Sequence, residues 1–74
     1  MSKIARKKSP LIKLDYERIL QRTWEAWLIK FRSDPLRKEW IAFSQAEIDE
    51  DYSTVEMERS YAELKGLEDF ESNG

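Results

Sequence analysis

The chain has 74 residues, 38% of them charged, with a formal net charge of −2 and neither cysteine nor histidine. Without cysteine it can form neither a disulfide nor a thiolate metal site, and without histidine it lacks the commonest metal ligand and general base. A chain of this length makes one domain at most and buries only a modest fraction of its surface. The composition therefore predicts a non-enzymatic protein with no metal and no cofactor.

Charge is distributed unevenly along the chain. Residues 1–14 carry five basic and no acidic side chains, residues 15–44 are close to balance, and residues 45–74 carry ten acidic and two basic side chains. Such asymmetry suggests two different contacts. No apolar run is long enough to span a bilayer, and no apolar segment of the signal-peptide type follows the basic N-terminus. The sequence therefore predicts a cytoplasmic protein with no membrane partner.

Residues 1–14 are predicted to form a flexible basic arm. The arm is either a solvated tail or a salt-sensitive contact to nucleic-acid phosphates that carries no base specificity of its own. The candidates for that contact are Lys3, Arg6, Lys7 and Lys8. Within the arm, residues 11–14 (LIKL) are either a short β-strand or an apolar lead-in to a helix.

Residues 15–33 are predicted to form the first helix. Asp15 is suited to cap its N-terminus, and apolar side chains then recur at a spacing of three and four residues. They form a stripe about 180° wide, which is more than one neighbouring helix can cover. The stripe comprises Tyr16, Ile19, Leu20, Thr23, Trp24, Trp27, Leu28 and Phe31.

A second helix is predicted to begin at Pro35, directly after a turn at residues 33–35. Ile41, Ile48, Val55 and Ala62 recur at seven-residue spacing, which is typical of a helix–helix seam. The helix either runs from residue 35 to 65, or breaks near residues 50–54 and leaves a third helix at residues 54–65. Gly66 is the predicted stop, and residues 67–74 follow as an acidic tail.

All three tryptophans fall between residues 24 and 40, around the predicted turn. Two helices cannot cover so much apolar surface. The sequence therefore predicts an all-α fold, an antiparallel helical hairpin spanning residues 15–66, which dimerises into a four-helix bundle. A compact three-helix monomer is the alternative. The predicted packing or dimer-interface residues are Ile19, Leu20, Trp24, Trp27, Phe31, Leu36, Trp40 and Phe43.

The acidic second half is predicted to bind a partner protein with a basic surface. Opposite potentials steer such an encounter, and apolar anchors on an acidic amphipathic helix can lie in a partner's groove. The predicted binding residues are Glu47, Asp51, Tyr52, Val55, Glu58, Tyr61 and Leu64.

A basic arm, a dimerising helical middle and an acidic amphipathic end make a layout similar to that of small bacterial antitoxins. No family motif is matched residue by residue, so the likeness is one of layout alone. It implies a small regulatory protein that binds and masks a basic partner. Two alternatives stay open: a phage-type inhibitor or adaptor that acts as an acidic nucleic-acid mimic, and a structural helical subunit of a larger assembly.

Overall fold

The computed structural model describes residues 10–72, and this part of the chain is mostly β. Six strands form two antiparallel three-stranded sheets. One 3-10 turn lies between the fourth and fifth strands, and an α-helix and a second 3-10 turn follow the last strand. The strands are β1 (Leu11–Asp15), β2 (Arg18–Arg22), β3 (Ala26–Arg32), β4 (Arg37–Ala42), β5 (Ala46–Asp49) and β6 (Thr54–Glu58). The helix is α1 (Arg59–Lys65), and the 3-10 turns are Phe43–Gln45 and Glu68–Phe70.

The two sheets differ in how local their pairings are. Sheet A has the order β1-β6-β5, so that the first strand of the chain pairs with the last. Its register places Leu14 opposite Val55, and Val55 opposite Ile48, in one row across the sheet. Sheet B is a meander of consecutive strands in the order β2-β3-β4.

One face of each sheet supplies the core. Side chains alternate across a strand. Every second residue of β1 and β6 is buried, and in β3 Ile29 and Phe31 are buried. The buried side chains of both sheets form a single cluster with one helix residue and Leu67, and none of the buried residues between 10 and 72 is polar or charged. The cluster comprises Ile12, Leu14, Ile29, Phe31, Ile41, Ala46, Val55, Met57, Ala62 and Leu67.

The prediction of an all-α fold is wrong, and its first helix is replaced by β2, β3 and the turn between them. In β3, Trp27, Ile29 and Phe31 face the core at a period of two. Ile29 is fully buried although it lay outside the predicted helical stripe. The aromatic and β-branched residues of this stretch favour strands, and that preference is what the structure shows.

The second and third predicted helices are also wrong, because residues 35–65 contain β4, β5, β6 and α1. The seven-residue repeat is nevertheless a repeat of core residues. Ile41, Ile48, Val55 and Ala62 come one from each of these four elements, and all four belong to or pack against the core. A short strand together with its connection takes about seven residues here, so the repeat reflects strand spacing. No acidic helix and no helix bundle exists within residues 10–72, and dimerisation itself stays a prediction.

The predicted chain breaks fall where the structure has its turns. Residues 33–36 join β3 to β4 through a cis Asp34–Pro35 peptide, and residues 50–53 join β5 to β6 with Ser53 at a φ of 55°. Gly66 ends α1 at a φ of 71°, and the amide of Leu67 donates to the carbonyl of Ala62 over 2.8 Å. This is the helix stop predicted at Gly66, with Leu67 buried beside it.

Both ends of the described chain pack on sheet A. Residues 11–14 form β1, so of the two alternatives for LIKL the strand is right, and Ile12 and Leu14 are in the core. Glu71 forms an isolated bridge with Leu14, and the amide of Ser72 donates to the carbonyl of Lys13 over 2.7 Å. The basic side chains of the predicted arm at positions 3 to 8 lie outside the described residues.

The two neighbouring tryptophans of the β2–β3 region predict different responses to truncation. The ring of Trp27 lies 4.4 Å from that of Phe43 and packs against the core, whereas Trp24 is 86% exposed. We expect Trp27→Ala to lower the free energy of unfolding by about 3 kcal/mol and Trp24→Ala by less than about 0.5 kcal/mol. Urea denaturation followed by circular dichroism measures both, and equal losses would contradict the assignment of Trp27 alone to the core.

Candidate functional site

The outer face of sheet A carries a concentration of carboxylates. Because Ile12, Leu14, Val55 and Met57 point into the core, their neighbours along the strands point outward. These outward residues include five carboxylates and one lysine, and we call this surface the acidic face. Its charged members are Asp15, Glu47, Asp49, Glu56, Glu58 and Lys13.

The strand register brings these charges together in rows. Lys13 is opposite Glu56, and Glu56 is in turn opposite Glu47. An open groove of about 480 Å³ runs along this side of β5 and β6 and is lined by both glutamates and by Lys13. Like charges directly opposite each other across strands are unfavourable, so the pair Glu47 and Glu56 makes this surface receptive to cations.

The β5–β6 turn extends the acidic face at one end. It adds Glu50, Asp51 and the ring of Tyr52, which is 78% exposed. The Asp49 side chain accepts a hydrogen bond of 3.0 Å from the Asp51 amide, which fixes the start of the turn. Arg22 of sheet B reaches Glu50 over 2.7 Å, in an exposed salt bridge that links the turn to the other sheet.

The electrostatic effect of this turn is visible at Tyr16. Burial raises the pKa of the Tyr16 phenol, and the charges of Glu50 and Asp49 raise it further, while Arg22 opposes them. Negative charge near a phenol disfavours its ionised form. The raised pKa of the Tyr16 phenol therefore reflects, in addition to burial, the negative charges of Glu50 and Asp49.

A second titrating group belongs to sheet B. The hydroxyl of Ser33 donates to Glu17 over 2.5 Å and lowers the pKa of that carboxyl, and Lys30 at 3.6 Å acts in the same direction. Glu17 is thereby kept ionised beside Lys30. Glu17 pairs with Lys30 at sheet B, and its charge is not part of the acidic face.

The structure brings together only part of the predicted protein-binding set. Glu47 and Glu58 lie on the acidic face, and Asp51 and Tyr52 lie in its turn. The other three predicted residues lie elsewhere. Val55 is fully buried, Tyr61 accepts a hydrogen bond from the Ala42 amide over 3.2 Å, and Leu64 is exposed on α1.

Sequence reasoning missed Lys13, Asp15, Asp49 and Glu56 as members of this surface. The signal that could have found them is the alternation of charged and apolar residues in KLD, AEID and TVEME. That pattern is short, and the pairing of β1 with β6 connects segments about forty residues apart. A local pattern contains no information on such a pairing.

The predicted packing set is divided between core and surface. Phe31 is buried, and Ile19 and Trp27 pack against the core. The other five members are exposed, although Phe43 still contacts the Trp27 ring. These exposed members are Leu20, Trp24, Leu36, Trp40 and Phe43.

The chain between residues 10 and 72 contains no group of three or more carboxylates placed to hold a metal ion. None of the helices in this part of the chain has the length and apolar character needed to cross a bilayer.

Comparison with protein-family models, with curated proteins and with solved structures finds no match to this chain.

The link between the turn and Tyr16 predicts a pKa change. Glu50→Gln removes an anion and frees Arg22 from its salt bridge, so both effects should lower the pKa of the Tyr16 phenol. Because that pKa is raised in the folded protein, the associated stabilisation is present below the pKa of the unfolded phenol, about 10, and is lost as pH rises through the folded pKa. Tyrosine Cζ chemical shifts followed by NMR across a pH titration measure the change. Glu58→Gln, at the other end of β6, is the control and should leave the Tyr16 pKa in place.

Proposed function

We propose that this protein is a small non-enzymatic binding module that attaches to a basic surface of a partner protein through its acidic face. The observation that supports this proposal is the set of five carboxylates that the register of β1, β6 and β5 aligns on one side of sheet A. Opposite potentials across an interface raise the rate of encounter and fix its register.

The carboxylates of the acidic face are available to a partner. Four salt bridges are present within residues 10–72, and they use Glu17, Glu39, Glu50 and Glu71. None of them involves the five carboxylates of the acidic face. Exposed pairs contribute little to stability in any case, so the absence of partners costs the fold little and leaves these charges for an intermolecular contact.

The edge of sheet A offers a second element of recognition. At the β1 edge, the bridge at Glu71 and the amide of Ser72 occupy part of the strand. At the other edge, no strand of residues 10–72 pairs with the outer side of β5. A partner segment that adds to β5 as a strand, with cationic side chains at every second position, would place those cations beside Glu47 and Asp49.

The test uses a fluorescent peptide of alternating lysine and valine, and a second peptide in which the same lysines are grouped in one block. The triple variant Glu47→Lys, Asp51→Lys, Glu58→Lys reverses two charges of the acidic face and one in the turn that extends it. The control variant Glu63→Lys, Glu68→Lys, Asp69→Lys makes the same change in net charge on α1 and the 3-10 turn after it. Fluorescence anisotropy at two salt concentrations gives the affinities.

We expect the alternating peptide to bind the wild-type protein more tightly than the blocked peptide, and binding to weaken with salt. The triple variant should lose at least tenfold in affinity because it replaces attraction by repulsion, whereas the control variant should retain most of it. Equal losses in the two variants would mean that net charge alone governs binding, and the acidic face would then have no special role.

A further inference from the structure

The outer face of sheet B has the opposite character to the acidic face. Ile29 and Ile41 are fully buried and Ile19 packs against the core, so the residues next to them along β2, β3 and β4 point away from it. We call this outward surface the aromatic–basic face. Its principal members are Arg18, Leu28, Lys30, Lys38 and Trp40.

Three cations form a row across this face. Arg18 is opposite Lys30, and Lys30 is opposite Lys38, with neighbouring strands about 4.8 Å apart. Like charges opposite each other are unfavourable, and only Lys30 has a nearby carboxylate, that of Glu17 at 3.6 Å. Within residues 10–72 neither Arg18 nor Lys38 has a salt bridge, so an external anion would relieve the repulsion in this row.

Two exposed indoles lie next to the row. Trp40 is the next outward residue after Lys38 on β4, about 6.8 Å along the strand, and it remains 41% exposed. Trp24 lies in the β2–β3 turn and lines the same open depression, of about 390 Å³, as Trp40. Both tryptophans thus present ring surface to solvent on this side of the molecule.

The position of Trp24 is fixed by the turn that carries it. The hydroxyl oxygen of Thr23 accepts hydrogen bonds from the amides of Glu25 and Ala26, at 3.3 and 3.0 Å. The carbonyl of Glu25 accepts a further bond from the Phe43 amide over 3.0 Å, which ties the turn to the end of β4. Trp24 is thus held beside Trp40 by a bonded backbone, although its own side chain packs on little.

From these contacts we infer that the aromatic–basic face binds single-stranded nucleic acid, with bases stacked on Trp24 and Trp40 and phosphates on Arg18, Lys30 and Lys38. Aromatic platforms beside cations are the means by which proteins hold single strands without reading their sequence. Unpaired bases have free faces for stacking, whereas a duplex keeps its bases within the helix and is read from its grooves. The proposal is independent of the acidic face, which lies on the outer side of the other sheet and would repel phosphate.

The test uses the full-length protein and a fluorescein-labelled oligothymidylate of about twelve nucleotides, with affinity measured by anisotropy over a salt series. We expect the logarithm of affinity to fall with the logarithm of salt concentration with a slope of about −2 or steeper, as three phosphate contacts require. Trp24→Ala should weaken binding roughly tenfold. The double variant Arg18→Gln, Lys38→Gln should reduce the magnitude of the slope by about 1.4.

Two control variants carry the same types of change on the other sheet. Tyr52→Ala removes an aromatic ring that is 78% exposed, and Lys13→Gln removes the lysine of the acidic face; both should bind like the wild-type protein. Circular dichroism confirms that each variant is folded.

Several results would overturn the proposal. They are no binding by the wild-type protein at 50 mM salt, unchanged binding by both face variants, and equal affinity for a duplex of the same length. Loss of binding only when Lys3, Arg6, Lys7 and Lys8 are changed to glutamine would assign the contact to the N-terminal segment. Self-association in sedimentation that Trp24→Ala abolishes, without any binding of the oligonucleotide, would assign the face to a second copy of the chain.

Discussion

Burial of one apolar face of each sheet against the other is the interaction on which the rest of this molecule depends. The chain has no cysteine and hence no disulfide, and within residues 10–72 the core has ten residues, none of them polar. A domain this small gains little from burial beyond what it needs to fold. The row of Leu14, Val55 and Ile48 therefore fixes the register of sheet A as well as filling the core. A shift of one residue in the strand pairing would move these side chains into solvent and the carboxylates into the core.

The same constraint determines where the charges lie. A strand with one buried face places most of its charged residues on the other face. On the outer face of sheet A these are mostly carboxylates, and on the outer face of sheet B they include Arg18, Lys30 and Lys38. Sheet B also has charges on its inner side, where Glu39 lies opposite Ile29 and pairs with Arg37. The three outward cations come from the middle of the chain, where acidic and basic residues nearly balance.

The sequence indicated where the chain turns, but it did not indicate whether the segments between the turns are helices or strands. Proline at position 35, the acidic run at 49–51 and Gly66 mark chain breaks whether the adjoining segments are helices or strands. The segments themselves are four to seven residues long, and over such lengths two or three apolar residues fit a period of 2 and a period of 3.6 equally well. The core residues at 41, 48, 55 and 62 suggested a helical seam because each of four successive elements contributes one core residue at that interval, although the elements and their connections differ in length.

The candidate surfaces were accordingly predicted only in part. The concentration of acid after residue 45 indicates Glu47, Asp51 and Glu58, which the structure places on the acidic face or in its turn; their role in binding stays a prediction. Val55 was misplaced because a helical arrangement made it a neighbour of those acids, whereas in β6 it points to the opposite side. The helical pattern predicts Trp24 and Trp40 as packing or dimer-interface residues, because large aromatic side chains dominate cores and interfaces, and the structure leaves both exposed. Their proximity depends on the β2–β3 turn and on the pairing of β3 with β4, which are properties of the folded sheet.

The pairing of β1 with β6 also bears on how this protein is made. Sheet B joins strands that follow one another, so its contacts are local, whereas β1 must wait for a strand about forty residues further along. Contacts at long sequence separation form late, because closing the loop between them costs entropy before any contact compensates for it. During synthesis the meander can pair while β6 is still inside the ribosome, and Ile12 and Leu14 then remain uncovered. The last quarter of the chain thus supplies the strand that pairs with β1. A nascent chain arrested before residue 54 would expose β1 as an unpaired apolar edge.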